Sequence, residues 1–192
     1  MRHYNIILAS NSPRRRELLR ALEIDFEVRT LDGVRETYPE QLPLDDVALY
    51  IASEKADAYR ALIGEDDLVI TADTIVIVDG QVMGKPRDME DARRMLRVLR
   101  DKTHEVVTGV CLTTREEQRR FKVSTLVTFG PLTDEEIEQY VERCRPLDKA
   151  GAYGIQEWIG YIGVKGIRGS YYNVMGLPVQ RIYRELKRMG AV

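Results

Sequence analysis

The sequence predicts an α/β fold: a single domain in which helices flank a mixed, largely antiparallel sheet. Strand-like and helix-like segments alternate along the 192 residues. Asp79-Gly80 joins two apolar runs as a two-residue hairpin turn. Hairpin-joined strands exclude a purely parallel, doubly wound sheet. No internal repeat or Pro/Gly/Ser-rich linker divides the chain, so residues 1–192 are expected to form one domain.

Each predicted element has a local reason. Ser12 is a good N-cap and Pro13 then takes the first helical position, which starts the first helix. The buried stripe of that helix is predicted to be Leu18, Leu19 and Leu22. In chain order, the predicted segments are strand 4–9, helix 13–22, strand 25–30, loop 31–43, helix 44–62, hairpin 67–86, helix 89–100, strands 103–114 and 119–130, helix 132–144, a glycine-rich segment and helix 178–189.

Two of the later helices carry further signals. In helix 44–62, four apolar residues stand near helical spacing: Val47, Ile51, Ala58 and Leu62. Helix 132–144 begins with Thr133 or Asp134 as its cap. If Thr133 is the cap, Glu136 completes a capping box.

The composition narrows the class of function. The net charge is −2, from 29 basic and 31 acidic residues, which argues against a nucleic-acid or membrane-surface binder. Apolar residues make up 44 %, enough for a core. The cysteines (Cys111, Cys144) and the histidines (His3, His104) stand far apart. This spacing excludes a disulfide framework, a His/Cys zinc site and a His-linked triad.

The hydropathy pattern predicts a soluble cytoplasmic protein. The first residues are too poor in apolar side chains for a signal peptide. The longest apolar run, LVITADTIVIV, is interrupted by Asp73 and is too short to span a bilayer.

A cluster of arginines stands at the start of the first helix. A cation there opposes the helix dipole, at about 0.3–1 kcal/mol each when exposed. Helical spacing turns Arg14 and Arg15 towards the core and Arg16 towards solvent. Two inward cations beside backbone N–H groups and Ser10 favour an anion such as phosphate. A solvated basic patch is the alternative.

Asp73 lies in the middle of an apolar strand. An unpaired buried carboxylate is unfavourable, so Asp73 is an ion-pair partner, a metal ligand or a tuned acid or base. If Asp79-Gly80 form the loop, Val78 opposes Gln81 and Lys85 returns to the level of Asp73. Gly84 and Pro86 are expected to bend or end the ladder there, so spacing alone leaves open whether Lys85 meets Asp73.

Three weaker candidates remain. Glu36 is in a polar loop, where a surface charge is the common case, and Lys55 is within a helix, where a solvated lysine is usual. The GAYGIQ segment, residues 151–156, has two glycines that allow close approach to a ligand. A P-loop motif is missing from the sequence.

Seven segments together resemble the Maf family of nucleoside triphosphate pyrophosphatases. They are LASNSPRRRELL, SEKA, TADTIV, GKPRD, THEVVTGV, LDKAGAYGIQ and GSYYNVMGLP, in order over almost the whole chain. The resemblance implies an elongated mixed sheet related to the inosine-triphosphate pyrophosphatases. It also implies cleavage of a nucleoside triphosphate between its α and β phosphates, a divalent cation (Mg²⁺ or Mn²⁺) as cofactor, and a homodimer.

The chain resembles the branch of this family that acts on dTTP and UTP. Its substrate-specificity positions are matched by Arg14, Thr74 and Gln156, and its proton acceptor by Asp73. Its other polar active-site positions are matched by Ser10, Arg15, Glu36, Lys55 and Lys85. The sequence departs from the family at Arg35, where an acidic residue is usual.

The resemblance and the chemistry of these side chains imply the following roles. The triphosphate charge is shared by four cations: Arg14, Arg15, Lys55 and Lys85. Ser10 adds a phosphate contact, and Glu36 and Asp73 hold the metal while Asp73 deprotonates water. Thr74 and Gln156 offer a donor and an acceptor to a pyrimidine edge.

Two alternatives stay open at this stage. One is the same chemistry on 7-methyl-GTP or another modified nucleotide, including modified pyrimidines. The other is a non-catalytic, nucleotide-binding regulator of cell division.

Overall fold

The computed structural model of the protein describes residues 4–31, 33–34 and 36–192. His3, Asp32 and Arg35 lie outside these ranges. The strands are β1 (Asn5–Leu8), β2 (Glu27–Val28), β3 (Asp67–Val78), β4 (Gln81–Met83), β5 (Thr103–Thr113), β6 (Gln118–Phe129) and β7 (Val164–Arg168). The α-helices are α1 (Pro13–Arg20), α2 (Val47–Tyr59), α3 (Met89–Leu99), α4 (Asp134–Cys144), α5 (Trp158–Gly163), α6 (Tyr171–Met175) and α7 (Val179–Arg188). Short 3₁₀ turns occupy Leu44–Asp46, Arg60–Leu62 and Ala150–Ala152.

The strands of the described ranges form one mixed sheet. Their order is β2-β1-β3-β5-β6-β7, and β4 pairs with β3. β1 runs parallel to both β2 and β3. The β3–β4 and β6–β7 pairs are antiparallel. The predicted α/β class with a mixed sheet and flanking helices is therefore confirmed.

The β3–β4 hairpin has the predicted turn and register. Asp79 and Gly80 have φ angles of 49° and 70°, the left-handed values that a two-residue primed turn requires. Val78 pairs with Gln81 across it. β4 ends before Lys85, so the ladder stops where the flanking glycine and proline predicted.

The chain divides into two compact units. The first holds the described residues up to Asp73, together with Thr108–Val123 and Gly176–Val192. The second holds Thr74–Val107 and Ser124–Met175. The largest buried side chains of the second unit's core are Tyr140, Phe129, Leu96, Leu99, Ile137 and Ile159.

Local capping signals are confirmed at two helix starts. The backbone N–H of Arg15 donates to the Ser12 hydroxyl at 3.4 Å, so Ser12 caps α1. At α4, Thr133 and Glu136 form both bonds of the capping box. Leu18 and Leu19 are buried as predicted. α1 ends at Arg20, however, so the predicted end at Leu22 is two residues too far along the chain.

The predicted helix 44–62 is α2 with a 3₁₀ turn at each end. Val47 and Ile51 are buried, but Ala58 and Leu62 are exposed, so that part of the predicted stripe is wrong. The buried face turns through small residues instead and ends on Tyr59. Its members are Val47, Ala48, Ile51, Ala52, Ser53, Ala56 and Tyr59.

Two other segments differ from expectation. The predicted strand 25–30 pairs only over Glu27–Val28, where both residues are exposed. The glycine-rich segment contains α5, β7 and α6, which the sequence pattern did not predict. These elements have only five or six residues each, too few for a periodic signal.

Gly109 on β5 allows α2 to pack directly against the sheet. A Cβ at this position would lie 2.3 Å from both the Cα and the N of Leu49. Those atoms are backbone, so no rotamer change can relieve the clash.

We expect Gly109→Ala to lower the free energy of unfolding by about 3 kcal/mol or more, because α2 must move away from the sheet. Urea denaturation measures the change. Gly166→Ala on β7 is the matched control, since no atom lies within 4 Å of a Cβ built there. Equal stability of the two variants would contradict the packing argument.

Candidate active site

Lys55 of α2 joins two acidic side chains in the first unit. Its Nζ lies 2.7 Å from Asp73 Oδ1 and 2.7 Å from Glu36 Oε1. The Lys55 and Asp73 side chains are 16 % and 13 % exposed, whereas the Glu36 side chain is 45 % exposed. Lys55 therefore departs from the solvated position that is usual for a lysine within a helix, and Asp73 is its ion-pair partner. The arrangement opens to water on the Glu36 side.

The packing of α2 on β3 explains how Lys55 reaches Asp73. Thr71 and Asp73 are two residues apart on β3 and so share one face of the strand. The Thr71 hydroxyl donates to the Ala52 carbonyl at 2.8 Å, which fixes α2 above that face. Lys55 follows Ala52 by three residues and points the same way from the helix. Its ammonium consequently lies over Asp73.

Arg15 connects the start of α1 to the backbone beside Asp73. Its Nη1 donates to the Ala72 carbonyl and its Nε to the Gly176 carbonyl, each at 2.8 Å. Burial lowers the pKa of this guanidinium, the charge of Asp73 opposes that shift, and the charge of Arg14 adds to it. The inward aim predicted for Arg15 agrees with this geometry.

Other polar side chains at the start of α1 form hydrogen bonds with nearby backbone groups. Ser10 is buried, and its hydroxyl accepts the N–H of Ser12 at 3.2 Å. Arg14 is half-buried. Arg16 is half-buried too, and its Nη2 donates to the Asn11 carbonyl at 3.3 Å.

Three predicted site residues belong to the second unit. Thr74, the first residue of that unit, is half-buried on β3. Lys85 is exposed after the end of β4 and makes no ion pair with a described residue. Gln156 is half-buried in the loop before α5. Its Oε1 is buried and accepts no hydrogen bond within the described ranges.

Glu36 and Asp73 are the two carboxylates that the sequence analysis predicts as metal ligands. No group of three or more His, Cys, Asp or Glu side chains in the described ranges could hold a metal. Glu36 Oε1 and Asp73 Oδ1 each lie 2.7 Å from Lys55 Nζ, so the two carboxylates are neighbours across this ammonium. Mg²⁺ is commonly bound by one or two carboxylates, with substrate phosphates and water as its other ligands. The donor set fits a cation bound jointly with a phosphate, not one enclosed by protein.

The sequence did not reveal the backbone acceptors of Arg15, nor that His104 contacts Tyr153 and Tyr140 contacts Gly154 in the loop before Gln156. Ala72 and Gly176 contribute backbone carbonyls, which leave no side-chain signature. His104 and Tyr140 are both buried. From the sequence alone, such aromatic residues cannot be distinguished from ordinary core residues. The pair of glycines around Tyr153 indicated the loop in the sequence, but it did not indicate which residues contact that loop.

Comparison with known proteins identifies relatives over nearly the full chain. A protein named "dTTP/UTP pyrophosphatase" from Phocaeicola vulgatus is 62 % identical and covers 97 % of this chain and 96 % of its own. Proteins of the same name from Bacteroides thetaiotaomicron and Porphyromonas gingivalis are 57 % and 55 % identical, covering 97 % and 99 % of this chain and 96 % of their own.

A solved structure and a family model also match. The structure is a nucleoside-triphosphatase, dITP/XTP pyrophosphatase, from Mycobacterium abscessus. It has a TM-score of 0.44 and 16 % identity over 97 % of both chains. The family model described as "Maf-like protein" matches residues 5–189. With this match and its full-length relatives, the chain belongs to the Maf family.

Proposed function

We propose that this protein is a nucleotide hydrolase that cleaves dTTP and UTP to the nucleoside monophosphate and pyrophosphate. The observation that carries the proposal is the partly buried Lys55–Asp73 pair with Glu36 at its open side. The names of relatives up to 62 % identical over 97 % of the chain support the choice of substrate. Residues 1–192 act as one pyrophosphatase domain in this proposal.

Asp73 is the general base. Its Oδ1 accepts from Lys55 Nζ at 2.7 Å, and its Oδ2 takes a proton from the attacking water. The water oxygen bonds to the α-phosphorus, and the bond from that phosphorus to the oxygen bridging to the β-phosphate breaks. The electron pair leaves with pyrophosphate.

The cations of the chain bind and stabilise the polyphosphate. Lys55 holds the ionised base in place, and Lys85 stabilises charge on the leaving pyrophosphate. Arg14 binds phosphate by charge-assisted hydrogen bonds, and Ser10 adds a hydroxyl. Arg15 uses two of its donors on carbonyls, so it acts on phosphate mainly through its charge.

A divalent cation, Mg²⁺ or Mn²⁺, would be held by Asp73 and Glu36. When bound it supplies positive charge to the phosphate oxygens. Base choice is assigned to Arg14, Thr74 and Gln156. A glutamine amide suits this role, because its oxygen can accept the N3–H that uracil and thymine present.

The proposal places the protein in the cytoplasm as a homodimer. No helix of the described ranges has the length and apolarity needed to cross a bilayer. Cys111 and Cys144 are both free thiols, which suits a reducing compartment. Light scattering after size exclusion tests the dimer, which has twice the 22.1 kDa chain mass.

A panel of nucleoside triphosphates tests the proposed reaction. We expect kcat/KM for dTTP and UTP to exceed that for purine triphosphates and 7-methyl-GTP by about tenfold or more, the discrimination expected of a site that hydrogen-bonds the base. The assay measures pyrophosphate directly, with Mg²⁺ and with EDTA, and EDTA should abolish turnover. Preference for 7-methyl-GTP would favour the other family branch. Binding without turnover would favour a regulator.

A further inference from the structure

The ammonium of Lys55 is a cation shared by two carboxylates. Its Nζ lies 2.7 Å from Glu36 Oε1 and 2.7 Å from Asp73 Oδ1. These are the two side chains that are proposed to hold a divalent cation. Within the described ranges, no further carboxylate, imidazole or thiol joins them to complete a metal-binding group. An ion bound to these two oxygens must therefore compete with the ammonium for them.

The charges around this pair of carboxylates already cancel before any ligand binds. Asp73 and Glu36 supply two negative charges, and Lys55 supplies one positive charge. Arg15 supplies the second positive charge: burial lowers the pKa of its guanidinium, and the charges of Asp73 and Glu36 both oppose that shift. A divalent cation added to these four groups meets no net negative charge, and the two resident cations repel it.

A bound triphosphate would reverse this balance. Its phosphates bring several negative charges to the cations at the start of α1, so a divalent ion that accompanies them is attracted and no longer repelled. Mg²⁺ is usually bound through one or two carboxylates together with substrate phosphates and water. Two carboxylates that stay neutralised until the substrate arrives suit such joint binding.

The contact between Lys55 and Glu36 is the one that can open. Glu36 lies in the loop between β2 and the 3₁₀ turn at Leu44–Asp46, and its side chain is 45 % exposed. Asp73 lies within β3, and its side chain is only 13 % exposed. The Lys55 side chain is a flexible four-carbon stem, so its ammonium can leave Glu36 by rotation about its own bonds. It can then keep its contact with Asp73 Oδ1, as the proposed role of holding the base requires.

We propose that Lys55 is the internal counter-ion of Glu36 and Asp73 in the free enzyme, and that it keeps divalent cations out until a nucleoside triphosphate binds. This inference rests on the proposed function. Lys55 thereby makes cation binding depend on substrate binding, because the two carboxylates accept a divalent ion only when phosphates lie beside it.

Binding of Mn²⁺ alone, measured by the electron paramagnetic resonance of the unbound ion, tests the inference without turnover. We expect nucleotide-free Lys55→Met to bind Mn²⁺ about tenfold or more tightly than nucleotide-free wild type, because the competing ammonium is gone. Adding Glu36→Gln to Lys55→Met should remove most of this gain. Lys122→Met is the matched control, since Lys122 Nζ also lies between two acids, 2.5 Å from Asp45 Oδ2 and 2.6 Å from Asp46 Oδ1. It should bind Mn²⁺ as wild type does.

The nucleotide arm of the experiment uses wild type with α,β-imido-UTP. Mn²⁺ should now bind the protein, and the relaxation rate of water protons should rise above that of Mn²⁺ with the analogue alone. The same rise with the analogue absent would contradict the proposed dependence on substrate.

Equal Mn²⁺ affinity in wild type and in folded Lys55→Met overturns the inference. A gain of the same size in Lys122→Met overturns it too, since any lost positive charge would then explain the result. So does a gain that survives Glu36→Gln, because the ion would then lie elsewhere. If Lys55→Met does not fold, Lys55→Gln carries the test, since its amide is uncharged and can still donate to Asp73. The measurements with Mn²⁺ alone need no substrate, so an enzyme inactive on UTP would instead refute the proposed function.

Discussion

Asp73→Asn is expected to lower kcat for dTTP and UTP by about 10³-fold, because asparagine cannot take the proton of the attacking water. Its side-chain oxygen can still accept a hydrogen bond from Lys55, so the local structure should persist. Nucleotide binding should be retained. Pyrophosphate release measures kcat, and calorimetric titration with α,β-imido-UTP measures affinity.

Asp67→Asn is the matched control for this experiment. Asp67 lies on the same strand, and its side chain is 13 % exposed, as is that of Asp73. It accepts the N–H of Gly64 at 3.0 Å and faces Arg29, so it is a buried, paired acid without a proposed catalytic role. Its substitution should leave kcat within about twofold. Turnover within tenfold of wild type in Asp73→Asn would remove Asp73 from the role of base.

Lys55→Met should be the next most damaging change, with a fall in kcat/KM of about 10²–10³-fold. Methionine retains the length of the side chain but removes the ammonium that Asp73 and Glu36 share. The two carboxylates then repel each other and the incoming phosphates. Initial rates against UTP measure the loss, and thermal unfolding shows whether the fold survives.

Lys122→Met controls for loss of a lysine between two acids. Lys122 Nζ lies 2.5 Å from Asp45 Oδ2 and 2.6 Å from Asp46 Oδ1, and its side chain is 34 % exposed. It belongs to the same unit but has no part in the proposed chemistry. Full activity is expected of this variant. If both lysine variants keep wild-type kcat/KM, the Lys55 ammonium is not needed for catalysis.

Features set by neighbours along the chain were predictable. The Ser12 cap, the capping box at Thr133 and the Asp79-Gly80 turn each depend on a few consecutive residues, and all three are confirmed. Local rules decide such features because the competing conformations are also local.

Features that depend on packing between distant segments were not predictable from the sequence. Lys55 was chosen as a site residue by family resemblance alone, because nothing in its helix indicates that a strand carboxylate lies beneath it. α2 packs partly through alanines, which give only a weak apolar signal in the sequence. The predicted buried stripe therefore included Ala58 and Leu62, which are exposed. Which face of α2 is buried is decided by Gly109 and Thr71, residues distant in sequence.

The sequence pattern and the family resemblance identified the candidate site residues, but they did not identify the groups that contact those residues. Asp73 was marked by a charge inside an apolar strand. The acceptors of Arg15 are backbone oxygens, and Tyr140 is an aromatic residue in a core rich in them. Both kinds of contact depend on tertiary geometry alone.

The contact at Gly109 has a consequence for protein engineering. It places the helix that carries Lys55 by backbone contact, without the tolerance that flexible side chains offer. Libraries that seek enzymes for new nucleotides should therefore keep glycine at position 109. Diversity belongs at Thr74 and Gln156, the positions proposed to select the base, while the helix that carries Lys55 keeps its place.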